Sequence, residues 1–282
     1  MSESQTDAGS GVTWLSQGLQ LFLKNPVPFA VMGLIIGVIG QVWVIGWLAL
    51  MILWPALCAG VMTGYRVESG GGKADISNLF AAFQQEGKLI KLLPLCLPGI
   101  AALVVMGLMV LVIGIVVGIA AFGGSAAASQ SSSPESMMAV LSGVGIFGGL
   151  IVVVIFIAVA LLVWALLCTA IPRVMFDSIE PFAAMKESLG TVKSNLFAFI
   201  GFALVTMVGY AIVAFVLNLL LGWSWITGFL PPLLMAAGFT PVIVGGLYSA
   251  YRHLFGAAPA AQALPEAPAA PPPPAPPADS EG

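Results

Sequence analysis

Charged residues are scarce in this chain of 282 residues. Nine Lys and Arg with twelve Asp and Glu make up only 7% of the sequence, whereas 60% is hydrophobic and the mean hydropathy is +1.07. Soluble domains carry about 25% charged residues because their surfaces face water. So few charges cannot cover a water-soluble particle of this size, and the composition therefore predicts an integral membrane protein.

Basic charge and histidine are also scarce. The formal net charge is −3 and the pI is near 5.0, which leaves no positive field for phosphates and excludes an extended nucleic-acid surface. With one histidine, His253, no Ser/His/Asp set, no pair of carboxylates and no metal cluster can be assembled. We therefore expect a protein that is not an enzyme, without catalytic residues, cofactor or metal.

Cysteine is limited to Cys58, Cys96 and Cys168, all in apolar stretches and without a CxxC pair. We expect them to be small core hydrophobes. All three are predicted to lie in the cytoplasmic half of the bilayer, so a shared site is the alternative. The polar N-terminus lacks the basic and apolar regions of a signal peptide, and we predict no cleavage.

Long apolar runs without charge are what the sequence has instead. A bilayer core of about 30 Å needs about 20 helical residues. The run from Asn25 to Tyr65 is twice that length, which predicts a hairpin that turns between Gly40 and Gly46. By the same measure the chain has six spans, at about 28–44, 47–65, 92–121, 139–171, 196–221 and 233–251. The predicted fold is an all-α polytopic membrane bundle of six transmembrane helices with short cytoplasmic interfacial amphipathic helices.

The basic residues predict how this bundle is threaded. All nine Lys and Arg precede span one, follow spans two or four, or follow span six. Basic residues of short loops stay on the cytoplasmic side. We therefore expect a cytoplasmic N-terminal segment with an amphipathic helix (1–25), a membrane domain (26–255) and a disordered cytoplasmic tail rich in Pro and Ala (256–282).

Two of the predicted cytoplasmic segments resemble each other. A shift of 102 residues aligns ADISNLFAAFQQEGKLIK with FDSIEPFAAMKESLGTVK, and pairs Asp75 with Asp177, Phe80 with Phe182, and Lys91 with Lys193. The match indicates a parallel internal repeat. Each copy predicts a short amphipathic helix capped by its aspartate, with Glu180 completing a capping box in the second copy.

Apolar stripes at helical spacing accompany these segments. They are Ile76, Leu79, Phe80 and Phe83 in the first copy, Phe182, Met185, Leu189 and Val192 in the second, and Val12, Leu15, Leu19 and Phe22 before span one. Such helices lie on the membrane surface, where they either anchor the spans or bind a partner. The candidate interfacial contact surface is Asp75, Phe80, Phe83, Lys91, Asp177, Phe182, Met185 and Lys193.

Polar side chains inside the predicted spans are few. Gln41 and Asn218 are the strongest candidates, and they are expected to hydrogen-bond between helices or to line a pore. No ionisable residue lies in the central part of any predicted span, which disfavours ion-coupled transport.

Three segments carry a resemblance to known proteins. DISNLFAAFQ, MFDSIEPFAAMKESLGTVKSNLF and PVIVGGLYSAYR resemble segments of uncharacterised six-span bacterial inner-membrane proteins of the YciC-like type. They are also similar to the membrane domain attached to some glycerophosphodiester phosphodiesterases. The resemblance covers about Trp14 to Arg252 and implies a bacterial inner-membrane location and a six-helix bundle. It supplies no functional residues, and we expect no phosphodiesterase activity, since the segments that match belong to the membrane domain alone.

Together these features predict a multi-pass inner-membrane protein that acts without catalysis, through contacts with membrane lipids, a protein partner or a second copy of itself, and not with nucleic acid. The alternative is a transporter or channel for a neutral or apolar solute that passes near Gln41 and Asn218.

Overall fold

The computed structural model describes residues 8–127, 134–222 and 228–256. Between residues 116 and 148 it describes the backbone only. Every regular element in these ranges is helical, which confirms the predicted all-α fold. The predicted tail beyond Gly256 lies outside them. In the described ranges the α-helices are α1 (Ala8–Lys24), α2 (Pro26–Gln41), α3 (Trp43–Ser69), α4 (Ala81–Gln84), α5 (Lys88–Leu92), α6 (Leu97–Ala127), α7 (Pro134–Leu167), α8 (Ala170–Phe176), α9 (Pro181–Ser194), α10 (Leu196–Leu221) and α11 (Leu230–Phe255). Two 3₁₀ helices, Ile76–Phe80 and Leu93–Cys96, complete the set.

Five helical segments of the described chain are long and apolar enough to cross a membrane: Trp43–Ser69, Lys88–Ile115, Gly149–Phe176, Leu196–Leu221 and Leu230–Phe255. The first predicted span differs from these. Helix α2 has 16 residues and is about 24 Å long, which is less than the roughly 30 Å of the hydrocarbon core. It passes the test only together with α1, from which it is bent by 107°. By length and composition, the described chain therefore has five helices that could span a membrane, or six spans when α1 and α2 count as one, which is compatible with a multi-pass membrane protein.

The corner between α1 and α2 lies at Asn25. A residue before proline is disfavoured in the helical conformation, so Pro26 ends α1 and starts α2. The amide of Asn25 donates hydrogen bonds to the carbonyl oxygen of Ala74 (3.2 Å) and to Oε2 of Glu68 (3.4 Å). The same carboxylate accepts a hydrogen bond from the backbone N–H of Ala74 (2.9 Å). The corner is thus tied to the end of α3.

Helix α1 buries a different face from the one predicted. The expected stripe included Val12 and Leu19, which are 48% and 44% exposed. The buried face instead consists of Gly11, Trp14, Gly18 and Leu21. The two glycines explain the difference, because they allow the backbone of α1 to lie directly against α10 and α11.

The two repeat segments also differ in structure. The first forms the 3₁₀ helix Ile76–Phe80 and the single turn of α4, and then turns at Gly87, whose φ of +73° is left-handed. The second begins with Pro181 at the first helical position and continues as 14 residues of α9. The shared sequence pattern therefore does not produce two equal amphipathic helices.

Most of the buried core lies toward one end of the bundle, which we call the charged end. It is defined by Arg66, Lys88, Arg173 and Arg252. Nζ of Lys88 donates to the carbonyl oxygen of Met175 (2.7 Å), and the guanidinium of Arg66 lies 4.8 Å from the ring centroid of Phe176. Arg173 and Arg252 lie over the rings of Phe255 (4.5 Å) and Tyr248 (6.0 Å). These contacts bring basic residues of four separate segments together.

Away from the charged end, the described parts of α6, α7 and α10 bury few side chains. Leu103, Val153 and Leu204 are 41%, 52% and 52% exposed, whereas Tyr65 and Leu92 are fully buried. Helix α6 packs mainly against α7, while α2 packs against α3 and α11. The bundle is therefore close-packed at the charged end and more open along its apolar length.

Candidate functional site: a lateral apolar cavity

A cavity of about 650 Å³ lies between α3, the start of α6, α7 and α11. Pockets of about 300–1,000 Å³ are typical of sites for small molecules. Its lining is Trp47, Leu50, Met51, Trp54, Pro55, Cys58, Met62, Leu95, Cys96, Gly99, Ala102, Leu103, Met106, Phe156, Val159, Ala160, Val163, Trp164, Leu167, Cys168, Ile171, Ile243, Val244 and Leu247. These side chains carry no charge, hydroxyl or amide, so the described lining suits an apolar ligand.

The cavity has a buried floor and an exposed rim. Cys58, Leu95 and Val244 on the floor are 3%, 0% and 2% exposed, near the charged end. Trp47 and Phe156 at the rim are 51% and 57% exposed. They belong to helices that are long and apolar enough to span a membrane. The cavity thus opens at the side of the bundle, between apolar side chains.

The wall near Trp164 is held by aromatic packing. The indole of Trp164 stacks on the ring of Phe202 (6.3 Å, 17°) and meets the ring of Phe199 edge-on (5.7 Å, 79°), which joins α7 to α10. Such pairs stabilise by about 0.5–1.5 kcal/mol beyond their buried area.

The floor is shaped by a break between α7 and α8. Ser188 of α9 donates a hydrogen bond to the carbonyl oxygen of Ala165 (2.7 Å) and accepts one from the backbone N–H of Thr169 (3.3 Å). One buried hydroxyl therefore satisfies backbone groups that the break leaves without helical partners.

All three cysteines of the chain line this cavity, from three different elements: Cys58 in α3, Cys96 before α6, and Cys168 after α7. They line one cavity, and the shared site that the sequence left open as an alternative stays a prediction. Among the described residues no group of three His, Cys, Asp or Glu is placed to hold a metal ion. The cysteines therefore contribute small apolar surface to the lining. Their thiols also allow the cavity to be probed by chemical labelling.

The first repeat segment presents its aromatic residues to the outside. Phe80 and Phe83 are each 41% exposed, and their rings meet edge-on at 6.2 Å. Asp75 is exposed and caps the 3₁₀ helix, since its carboxylate accepts the backbone N–H of Ser77 (2.8 Å). These hydrogen bonds with Ser77 lower the pKa of Asp75. Lys91 is half-buried.

In the second repeat segment the predicted cap is wrong. Asp177 ends α8 and does not cap α9, whose first position is taken by Pro181. Its carboxylate instead pairs with Arg173 (2.8 Å) and accepts a hydrogen bond from the hydroxyl of Tyr251 (2.9 Å). This tertiary pairing uses the oxygens that a cap would need.

The remaining predicted residues of α9 separate into two groups. Phe182 is 66% exposed and Lys193 is exposed, whereas Met185 is 6% exposed and packs into the core. Met185 therefore does not belong to an exposed contact surface. The buried face of α9 is Pro181, Ala184, Met185, Ser188 and Val192.

Gln41 and Asn218 do not line the cavity. Both are exposed, and the amide of Asn218 donates to the carbonyl oxygen of Ala214 in its own helix (2.8 Å). An amide that is satisfied within its helix needs no partner helix.

The cavity was not predicted from the sequence, because its lining looks like ordinary span residues. One feature of the sequence agrees with the cavity: all three cysteines are predicted to lie in the same half of the bilayer. No family model, curated protein or solved structure matches this chain. The resemblance to YciC-like proteins accordingly stays a prediction.

Proposed function

We propose that this chain is a non-enzymatic, multi-pass protein of the bacterial inner membrane that holds the acyl chain of a membrane lipid in the lateral cavity. The observation that carries the proposal is the cavity itself, which is apolar in its described lining and has an exposed rim at the side of the bundle. Both termini are proposed to be cytoplasmic, with the charged end on that side, because short basic segments stay in the cytoplasm.

The shape of the cavity favours a long, thin ligand. Its lining follows α3 from Trp47 to Met62, which is about 22 Å at 1.5 Å per residue. Each methylene that leaves water for such a site contributes about 0.8 kcal/mol. A chain that comes from the bilayer is already out of water, so its gain here is the closer packing that four helices provide.

Passage of a neutral or apolar solute is the second candidate, and the cavity at mid-membrane depth favours it in part. Leu95 and Val244 close the floor, however, and neither Gln41 nor Asn218 contributes to the lining. A closed floor favours holding a chain over conducting a solute through the described part of the protein.

A second lipid contact is proposed at the charged end. Phe80, Phe83 and Phe182 are exposed aromatic side chains on the two repeat segments. Aromatic and apolar residues of surface helices insert at the boundary between headgroups and acyl chains. Replacing Phe80 and Phe182 with aspartate should disturb function while the bundle still inserts; an unchanged phenotype would argue against this contact.

The cysteines make the proposed site directly testable. A C58A/C168A variant keeps Cys96, which is half-buried at the cavity, as the only thiol. In nanodiscs, we expect a lipid with one palmitoyl chain to slow its reaction with N-ethylmaleimide several-fold. The matched control is S194C in a chain whose three cysteines are alanine, because Ser194 is exposed on α9 and outside the cavity. Equal slowing at both positions, or none at Cys96, would contradict the proposal.

A further inference from the structure

A second cavity, of about 630 Å³, lies at the charged end between the polar face of α1 and the last turn of α11. We call it the polar groove. Its described lining contains two basic side chains, Lys24 and Arg252, the imidazole of His253, and the amides of Gln17 and Gln20. No carboxylate is among the lining residues. The groove therefore offers donors and positive charge without an internal counter-ion.

The two basic residues of the groove differ from Arg173, the other arginine of this region. Arg173 is bound by the carboxylates of Asp177 and Glu187, each at 2.8 Å. Within the described residues, neither Lys24 nor Arg252 forms an ion pair. Glu68, near the corner after α1, is held by the amide of Asn25 and the N–H of Ala74. The positive charge of the groove is therefore available to a ligand.

His253 adds an oriented donor. Its Nδ1 accepts a hydrogen bond from the indole N–H of Trp14 (2.9 Å), and Trp14 is only 1% exposed. An indole only donates, so Nδ1 is the acceptor and Nε2 carries the N–H of the neutral imidazole. The buried indole fixes the ring, which leaves one N–H donor on a residue that lines the same groove as the two cations.

From these observations we infer that the polar groove binds a phosphate group. Guanidinium and ammonium groups with neutral N–H donors are the chemistry that recognises phosphate oxygens. The groove lies at the end of the bundle where headgroups of one leaflet would lie, so the phosphate belongs either to an anionic lipid or to a soluble phosphate. This site is separate from the lateral cavity and does not depend on it.

The test uses delipidated full-length protein and short-chain lipids with two eight-carbon chains. Calorimetry compares phosphatidic acid with phosphatidylcholine, whose chains are the same and whose headgroup is neutral overall. We expect saturable binding of phosphatidic acid, weakened about 100-fold in K24Q/R252Q because two charge-assisted contacts are lost. The matched control is K73Q/K186Q, which removes the same charge from two exposed positions outside the polar groove. It should bind as the wild type does.

The outcomes separate the possible sources. Competition by inorganic phosphate that K24Q/R252Q abolishes supports a soluble phosphate as ligand, whereas binding of phosphatidic acid without such competition supports a lipid headgroup. Equal loss in both double variants would overturn the inference, since it would reflect net charge alone. Equal binding of the two lipids would also overturn it. The difference in binding between phosphatidic acid and phosphatidylcholine should persist in Gly99→Leu, so a failure of the lateral cavity cannot be mistaken for a failure of the groove.

Discussion

Replacing Gly99 with leucine should expel an acyl chain from the lateral cavity. Gly99 lines the cavity, and a Cβ atom built there meets nothing within 4 Å, so a larger side chain enters open space without displacing backbone. Leucine brings four side-chain carbons into the volume. The displaced chain returns to detergent or lipid and not to water, so the loss is that of packing alone. At about 0.1–0.2 kcal/mol per heavy-atom contact, about ten lost contacts cost about 1–2 kcal/mol, or roughly tenfold in affinity.

The matched control for this substitution is Gly107→Leu. Gly107 lies on the same helix, also has nothing within 4 Å of an added Cβ, and does not line the cavity. Both variants gain the same helix propensity. The assay is titration with a fluorescent sixteen-carbon fatty acid at a fixed concentration of mild detergent. Binding by Gly99→Leu as tight as that of the wild type, or equal weakening in Gly107→Leu, would refute the reasoning.

Three further predictions concern the scaffold and its stability. Gly18→Val should detach α1 from α11, because its Cβ would overlap backbone of the neighbouring helix, whereas Gly9→Val meets nothing within 4 Å; limited proteolysis should cut α1 only in the first variant. Ser188→Ala should lower the free energy of unfolding by about 1–3 kcal/mol by leaving buried backbone groups unpaired, and thermal denaturation should show no comparable loss in Ser194→Ala, which alters an exposed hydroxyl. The pKa of Asp75 is below its ordinary value, so its cap contributes stability above the pKa of the unfolded chain. That stability is lost as the pH falls through the lowered pKa of the folded protein. A carboxyl NMR titration that shows an ordinary or raised pKa for Asp75 would contradict this.

The helical architecture was predictable because a chain inside a membrane must satisfy every backbone polar group within its own helices. The length of the charge-free runs therefore identifies the spans, and α10 has the predicted bounds, Leu196–Leu221. The first span was harder to predict, since Pro26 separates the amphipathic helix α1 from the apolar helix α2. The bend at Asn25 depends on contacts with Glu68 and Ala74, about 45 residues away in the chain.

The two aspartates show where local reasoning ends. Asp75 was predictable as a cap because the backbone groups that donate to its carboxylate lie within three positions of it in the sequence. The same reasoning gave the wrong role to Asp177, which pairs with Arg173 one helical turn earlier in α8 and accepts a hydrogen bond from Tyr251 of the distant helix α11. The spacing of a capping motif does not show whether its aspartate is bound by residues outside the motif.

The lateral cavity was beyond prediction for a related reason. Its lining comes from four helices and has no polar side chain that would distinguish it from residues that face lipid. Gln41 and Asn218 were expected to line a pore or to join helices because they are polar residues in apolar runs. The amide of Asn218 instead donates to the carbonyl oxygen of Ala214 in its own helix. Volume between helices is a property of their packing, and the sequence records it only indirectly.

The central claim, that the lateral cavity holds an acyl chain, is tested most directly by native mass spectrometry of the intact protein released from native-membrane nanodiscs. We predict that the wild type and Gly107→Leu retain one lipid of defined mass after gentle activation, and that Gly99→Leu does not. Bare wild-type protein under the same conditions, or the same lipid retained equally by Gly99→Leu, would contradict the claim.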